Sequence, residues 1–281
     1  MNISHQNNKG FTLIELVTVI IILGVLATSV TAFLRFGTQS YTNAVDREAL
    51  TSTARFVIER LNREVRHALP NSARLTGTVS KRCLEFTPIA ESVVYLDVPV
   101  LPELAKDTLT LAPFASSSLR NSSKVSVYAT NSNDIYGVNN GVTASFDASD
   151  ISVLTPLYSE SDIDDESTAV ILKLENAVQF DADSPTNRLY FLESSITYCL
   201  ESGSLYRYSN YTNSETDDSP VEVDDRRVLM AEYIANRAGE QPFKITEASL
   251  QRNAIVSVWL RFNRNLEEIV FSNEIQVPNV P

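Results

Sequence analysis

Between Leu16 and Leu34 the chain carries no charge (LVTVIIILGVLATSVTAFL). At about 1.5 Å per residue, such a run is long enough for a helix to cross the hydrocarbon core of a bilayer. Beyond it the apolar positions thin into a stripe. Val45, Ala49, Thr53, Phe56, Val57, Leu61, Val65 and Ala68 recur at three- and four-residue steps, with Asp46, Arg47, Glu48, Arg55, Glu59, Arg60, Arg63, Glu64 and Arg66 between them. An apolar stripe among charges marks a helix lying on a packed layer. No proline occurs before Pro70. The pattern predicts one helix from about Phe11 to Leu69, apolar all round over residues 11–35, amphipathic over 36–70, and stopped at Pro70-Asn71. Gly24, Ala27 and Thr28 are small enough to let a second helix approach closely.

From Thr76 onward the pattern changes to short β-rich runs: Cys83–Thr87, Val93–Val98, Lys124–Ala129, Ala169–Leu174 and Leu189–Leu192. Two hairpins are better defined. Ser195–Leu200 and Leu205–Tyr208 flank Glu201-Ser202-Gly203-Ser204, and Ala254–Phe262 and Glu267–Phe271 flank Asn263-Arg264-Asn265. In the second hairpin Val256, Val258, Leu260 and Phe262 share one face, with Trp259 on the other. Trp259 there reads as a partly covered packing residue. The Ser-, Asn- and Asp-rich segments 116–123, 131–141, 158–167 and 208–225 read as loops. The class is α+β: a long amino-terminal helix packed on an antiparallel β-sheet head with long loops, the head filling residues 71–281.

Composition removes several functions. The 281 residues carry a net charge of −12, which argues against nucleic acid, since phosphate binding needs clustered Lys and Arg. The two histidines are His5 and His67, and no Gly-rich phosphate loop, C-x-x-C or G-x-S-x-G occurs. That leaves little equipment for acid–base or nucleophilic chemistry, so no enzyme and no cofactor are expected. Acidic clusters at Glu160, Asp162, Asp164, Asp165 and Glu166, and at Asp217, Asp218, Asp224 and Asp225, lack the spacing of an EF-hand and read as solvated loops rather than calcium sites. Tyr190, Tyr198, Tyr206, Tyr208 and Tyr211 either pack a sheet or form an adhesive face.

One carboxylate stands out. Glu15 lies just before the uncharged run, in Lys9-Gly10-Phe11-Thr12-Leu13-Ile14-Glu15-Leu16, and a carboxylate near lipid is costly unless it is paired. A secretory signal is cut after its apolar region, whereas here the Gly precedes it. The segment resembles the amino terminus of type IV prepilins and type II secretion pseudopilins. That resemblance implies cleavage by a prepilin peptidase between Gly10 and Phe11, N-methylation of Phe11, and a docking role for Glu15 against the terminal ammonium of a neighbouring subunit. Residues 1–10 are then a leader, 11–35 a transmembrane helix, and the head lies outside the inner membrane in an oxidising compartment. There Cys83 and Cys199 are expected to form a disulfide.

Farther on, residues 56–72 (FVIERLNREVRHALPNS) resemble the J-type minor pseudopilins and the biogenesis subunits of mannose-sensitive haemagglutinin (MSHA) pili. So do Arg82–Ile89, Tyr95–Pro99, Asn133–Gly137 and the hairpin Ile196–Arg207. The resemblance implies a minor pilin that primes or assists pilus assembly at or near the filament tip. Its partners are then the peptidase, the other minor pilins, the major pilin and the inner-membrane assembly platform. Two alternatives stay open, a type II secretion pseudopilin and a pilus-associated adhesin.

Overall fold

The computed structural model describes residues 11–78, 80–114, 119, 123–137, 141–146, 169–209, 211, 227–247, 253–265 and 267–277. Helix α1 runs from Leu13 to Arg66, 54 residues without a break, or about 80 Å at 1.5 Å per residue. Thr12 caps it in an extended conformation (φ −81°, ψ 148°), its Oγ1 accepting from the Glu15 N–H at 3.4 Å. The helix stops three residues short of the expected Leu69. The β-layer takes over the backbone there: Leu69 N–H donates to Thr87 O at 2.8 Å and Ile89 N–H to His67 O at 2.9 Å. Hydrogen bonding to a strand therefore ends α1 before Pro70 would.

Among the described residues the head is not one sheet but three, with antiparallel pairing along each ladder. In chain order the strands are β1 (Arg74–Gly77), β2 (Lys81–Phe86), β3 (Ile89–Asp97), β4 (Lys106–Leu111), β5 (Lys124–Val127), β6 (Thr143–Ser145), β7 (Val170–Val178), β8 (Arg188–Leu192), β9 (Ile196–Glu201), β10 (Ser204–Tyr208), β11 (Arg227–Ala231), β12 (Phe243–Thr246), β13 (Ala254–Arg264) and β14 (Glu267–Val277). A short helix α2 (Asn133–Tyr136) follows β5. Strand order is β1-β2-β9-β10-β11 in the first sheet, β12-β13-β14 in the second and β6-β5-β8-β3-β4-β7 in the third.

Two cores result. The first joins one stripe of α1 (Leu50, Ala54, Val57, Leu61, Val65) to Leu84 and Tyr198 of the first sheet and Val256, Val258, Leu260 and Phe262 of the second. The second lies within the six-stranded sheet around Leu109, Leu111, Val125, Leu172, Phe180 and Phe191. The β2–β9 ladder ends at Phe86↔Ile196 and the β3–β8 ladder starts at Ile89↔Leu192, so the two are successive stretches of one excursion. The described residues between Ile89 and Leu192 thus form a lobe inserted into a base built from α1 and the other two sheets. The lobe sits over the end of α1, where Leu69 packs among Ala129, Ile135, Tyr136 and Tyr190.

Candidate functional site

Among the described residues nothing packs against the first half of α1. Every residue from Phe11 to Thr42 is exposed, and α1 is the one helix among the described residues long and apolar enough to cross a membrane. Its hydroxyls add little polarity. Thr18 donates to Glu15 O (2.9 Å), Thr28 to Val25 O (2.9 Å), Ser29 to Val25 O (3.0 Å) and Thr31 to Ala27 O (2.7 Å). Hydroxyls bonded back to their own helix need no water, so the surface offered outward is close to hydrocarbon. Glu15 is in the first turn, where the N–H groups and the positive end of the helix dipole favour a carboxylate. Phe11 directly precedes the capping Thr12. Gly10 lies outside the described residues, as do both acidic clusters.

Three polar side chains of its second half, Asp46, Asn62 and Glu64, tie α1 to the head. Asp46, buried on the same stripe as Leu50, accepts from Asn265 Nδ2 at 2.8 Å and pairs with Arg264 Nε at 3.1 Å. Arg264 in turn stacks over Tyr233. Asn273 Nδ2 donates to Asn62 Oδ1 at 2.8 Å. Glu64 accepts from Tyr198 OH at 2.7 Å and Arg207 Nε at 3.0 Å, and pairs with Arg60 one turn back. Burial alone would raise the Glu64 carboxyl, but hydrogen bonds from Arg207, Tyr198 and Arg60 outweigh it and hold the pKa below the ordinary value. The expected stripe carried Val45 and Phe56 with Asp46 beside it; instead Asp46 and Leu50 are buried and Val45 and Phe56 are exposed, and only the four-residue step from Asp46 to Leu50 marked that face in the sequence. Glu64 carried no such mark, because its partners lie far away on β9 and β10.

Cys83 and Cys199 face each other across β2 and β9, Cα atoms 4.1 Å apart, and are joined by a disulfide. It is buried beneath Tyr208 and flanked by Tyr206 and Tyr211. Tyr190, Tyr198 and Tyr208 are likewise buried, which removes the surface an adhesive tyrosine face would need. Tyr211 OH donates to Glu85 Oε1 at 2.7 Å, and Glu85 also pairs with Arg74 at 2.7 Å. Burial first, then the bond to Glu201, pushes Tyr208 up to about 12. Trp259 is 40% exposed on the outer face of β13, while Val256, Val258, Leu260 and Phe262 are buried on the inner one. Among the described residues no group of three His, Cys, Asp or Glu is placed to hold a metal ion.

Compared with known proteins, residues 5–31 match the family model described as the prokaryotic N-terminal methylation motif. No curated protein and no solved structure matches the chain. The match spans the Gly10-Phe11 junction, the cap at Thr12, Glu15 and most of the exposed apolar helix. It implies processing by a prepilin peptidase and supports a type IV pilin-like protein, a structural rather than an enzymatic class, anchored in a membrane by its amino-terminal helix.

Proposed function

We propose that the chain is a minor pilin that primes or assists assembly of an MSHA-like type IV pilus, after cleavage between Gly10 and Phe11 and N-methylation of Phe11. In this reading residues 1–10 are the leader, 11–35 the membrane span, 36–70 its amphipathic continuation and 71–281 the periplasmic head. The finer assignment rests on the motifs shared with J-type subunits and with the MSHA biogenesis protein MshO. The observation that carries the reading is an ionisable residue in the first turn of a helix otherwise bare and apolar. Glu15 in lipid needs a cation, and the new amino terminus of a neighbouring subunit supplies one. The subunit waits in the inner membrane, docks through that pair, and enters the filament at or near its tip. Its partners are the other minor pilins, the major pilin and the assembly platform.

A strain deleted for the gene, with the major pilin still made, tests this reading. Loss of surface pili with normal major pilin in the membrane is expected. Intact pili with lost attachment would assign the chain to adhesion instead, and lost protein secretion with normal pili would assign it to a type II system. The Glu15→Ala variant is expected to be cleaved normally yet to be absent from sheared filaments.

A further inference from the structure

The inserted lobe ends in an apolar tip that the assembly role leaves unused. Strand β3 leaves the end of α1 at Ile89 and runs to Asp97, about 26 Å away at 3.3 Å per residue. The loops 98–105 and 179–187 close that far end. They are tied together: Leu101 N–H donates to Phe180 O (2.9 Å), Phe180 N–H to Pro99 O (2.7 Å) and Gln179 Nε2 to Glu103 O. Lys106 Nζ pairs with Asp97 at 3.1 Å and Glu103 at 3.3 Å, joining both ends of the first loop. Val98 and Phe180 are buried beneath it. At this end Leu96, next to last in β3, and Leu101 and Leu104, on the braced loop, stand 61%, 53% and 87% exposed. The strand ends and loops there also carry exposed carboxylates at Asp97, Glu103, Asp107, Asp181 and Asp183, of which Asp97 and Glu103 share Lys106 and Asp183 accepts from Tyr95 OH.

We propose that this tip is a docking surface for a partner protein that offers an apolar pocket rimmed by Lys and Arg. Leucines held on a rigid loop enter a pocket with little loss of conformational freedom. These five carboxylates outnumber the one cation among them, Lys106, and the excess selects a basic rim by charge complementarity. The same excess opposes the two nearest alternatives: an anionic lipid surface repels it, and a second copy meeting it tip to tip sets like charges face to face. Only the orientation rests on the proposed function, which turns this end of the molecule away from the membrane.

The test is photocrosslinking from benzoylphenylalanine placed at Leu104 in the full chain, in the cell that makes it, read in both membranes and sheared filaments. A protein adduct is expected, mapping to apolar residues with Lys or Arg around them. Leu101→Asp should lower its yield about tenfold, as loss of a buried anchor does, and added salt should lower it too. An adduct to lipid, to another copy's tip or to an acid-rimmed surface would overturn the proposal, as would no adduct at all. The same probe at Phe56, on the exposed face of α1, separates the two failures. Adducts from Phe56 but none from Leu104 sink the tip alone, whereas absence of the chain from filaments sinks the assembly reading.

Discussion

Glu64 shows how one side chain couples the helix to the head. It is the meeting point of a helix neighbour, Arg60, and two strand residues, Tyr198 and Arg207. Replacing it with Gln leaves Arg207 and Tyr198 with a weaker acceptor in a largely buried place. The expected cost is about 2–3 kcal/mol in urea unfolding of the full chain in detergent. The pH dependence has a definite sign. Because the folded carboxyl titrates below the ordinary 4.5, its contribution is complete above that value and is lost as pH falls through the lower folded pKa. Glu64→Gln should therefore flatten the acid limb of the stability profile while lowering the plateau. An unchanged acid limb would mean that other carboxylates govern it. Asp46 likewise ties the helix to the head, through Asn265 and Arg264. Asp46→Ala frees the β13–β14 turn, and faster hydrogen exchange confined to residues 262–269 is the expected readout.

The elements divide by how local their cause is. Helix α1 could be read from its apolar run and its three- and four-residue stripe, because a helix writes its packing face into neighbouring sequence. The β9–β10 hairpin could be read as well: Ser202 and Gly203 both take positive φ (50° and 79°), as a tight turn between antiparallel strands demands. Strands β1, β4, β6, β11 and β12 escaped, being short and specified by partners distant in sequence. Arg74–Gly77 is a strand because Lys81–Phe86 folds back on it, and Phe243–Thr246 because β13 pairs with it. Of the candidate site, the apolar helix and Glu15 were visible in sequence, whereas Asn265, Arg264 and Arg207 meet the helix only after the sheets form. The disulfide fixes one such distant pairing, closing a loop across a sequence separation of 116. Changing both cysteines to serine should cost about 5 kcal/mol by chain entropy, since the unfolded chain regains that freedom. A midpoint that reductant leaves unmoved in the native protein, together with wild-type stability of the double variant, would contradict this.

At the scale of the molecule, the head is a base with an inserted lobe, and each has its own apolar interior. The lobe enters and leaves through adjacent strands, at Thr87-Pro88 and at 193–195. A small polar knot ties this neck. Thr87 Oγ1 meets Ser195 Oγ at 2.8 Å, and Tyr136 OH donates to Ser72 O at 3.0 Å. Two cores joined by a narrow neck need not melt together, because cooperativity follows shared buried surface. Leu109→Ala deletes side-chain volume from the lobe's interior, where Leu109 is fully enclosed, at an expected cost of about 3 kcal/mol. Leu61→Ala does the same between α1 and the sheets of the base. The expected result is a split: Leu109→Ala speeds hydrogen exchange across β3 to β8 and leaves β13 and β14 protected, and Leu61→Ala does the reverse. A uniform loss of protection from either variant would instead make the head one cooperative unit. If the split holds, the lobe can be exchanged or altered without disturbing the helix and sheets that carry the subunit into its assembly.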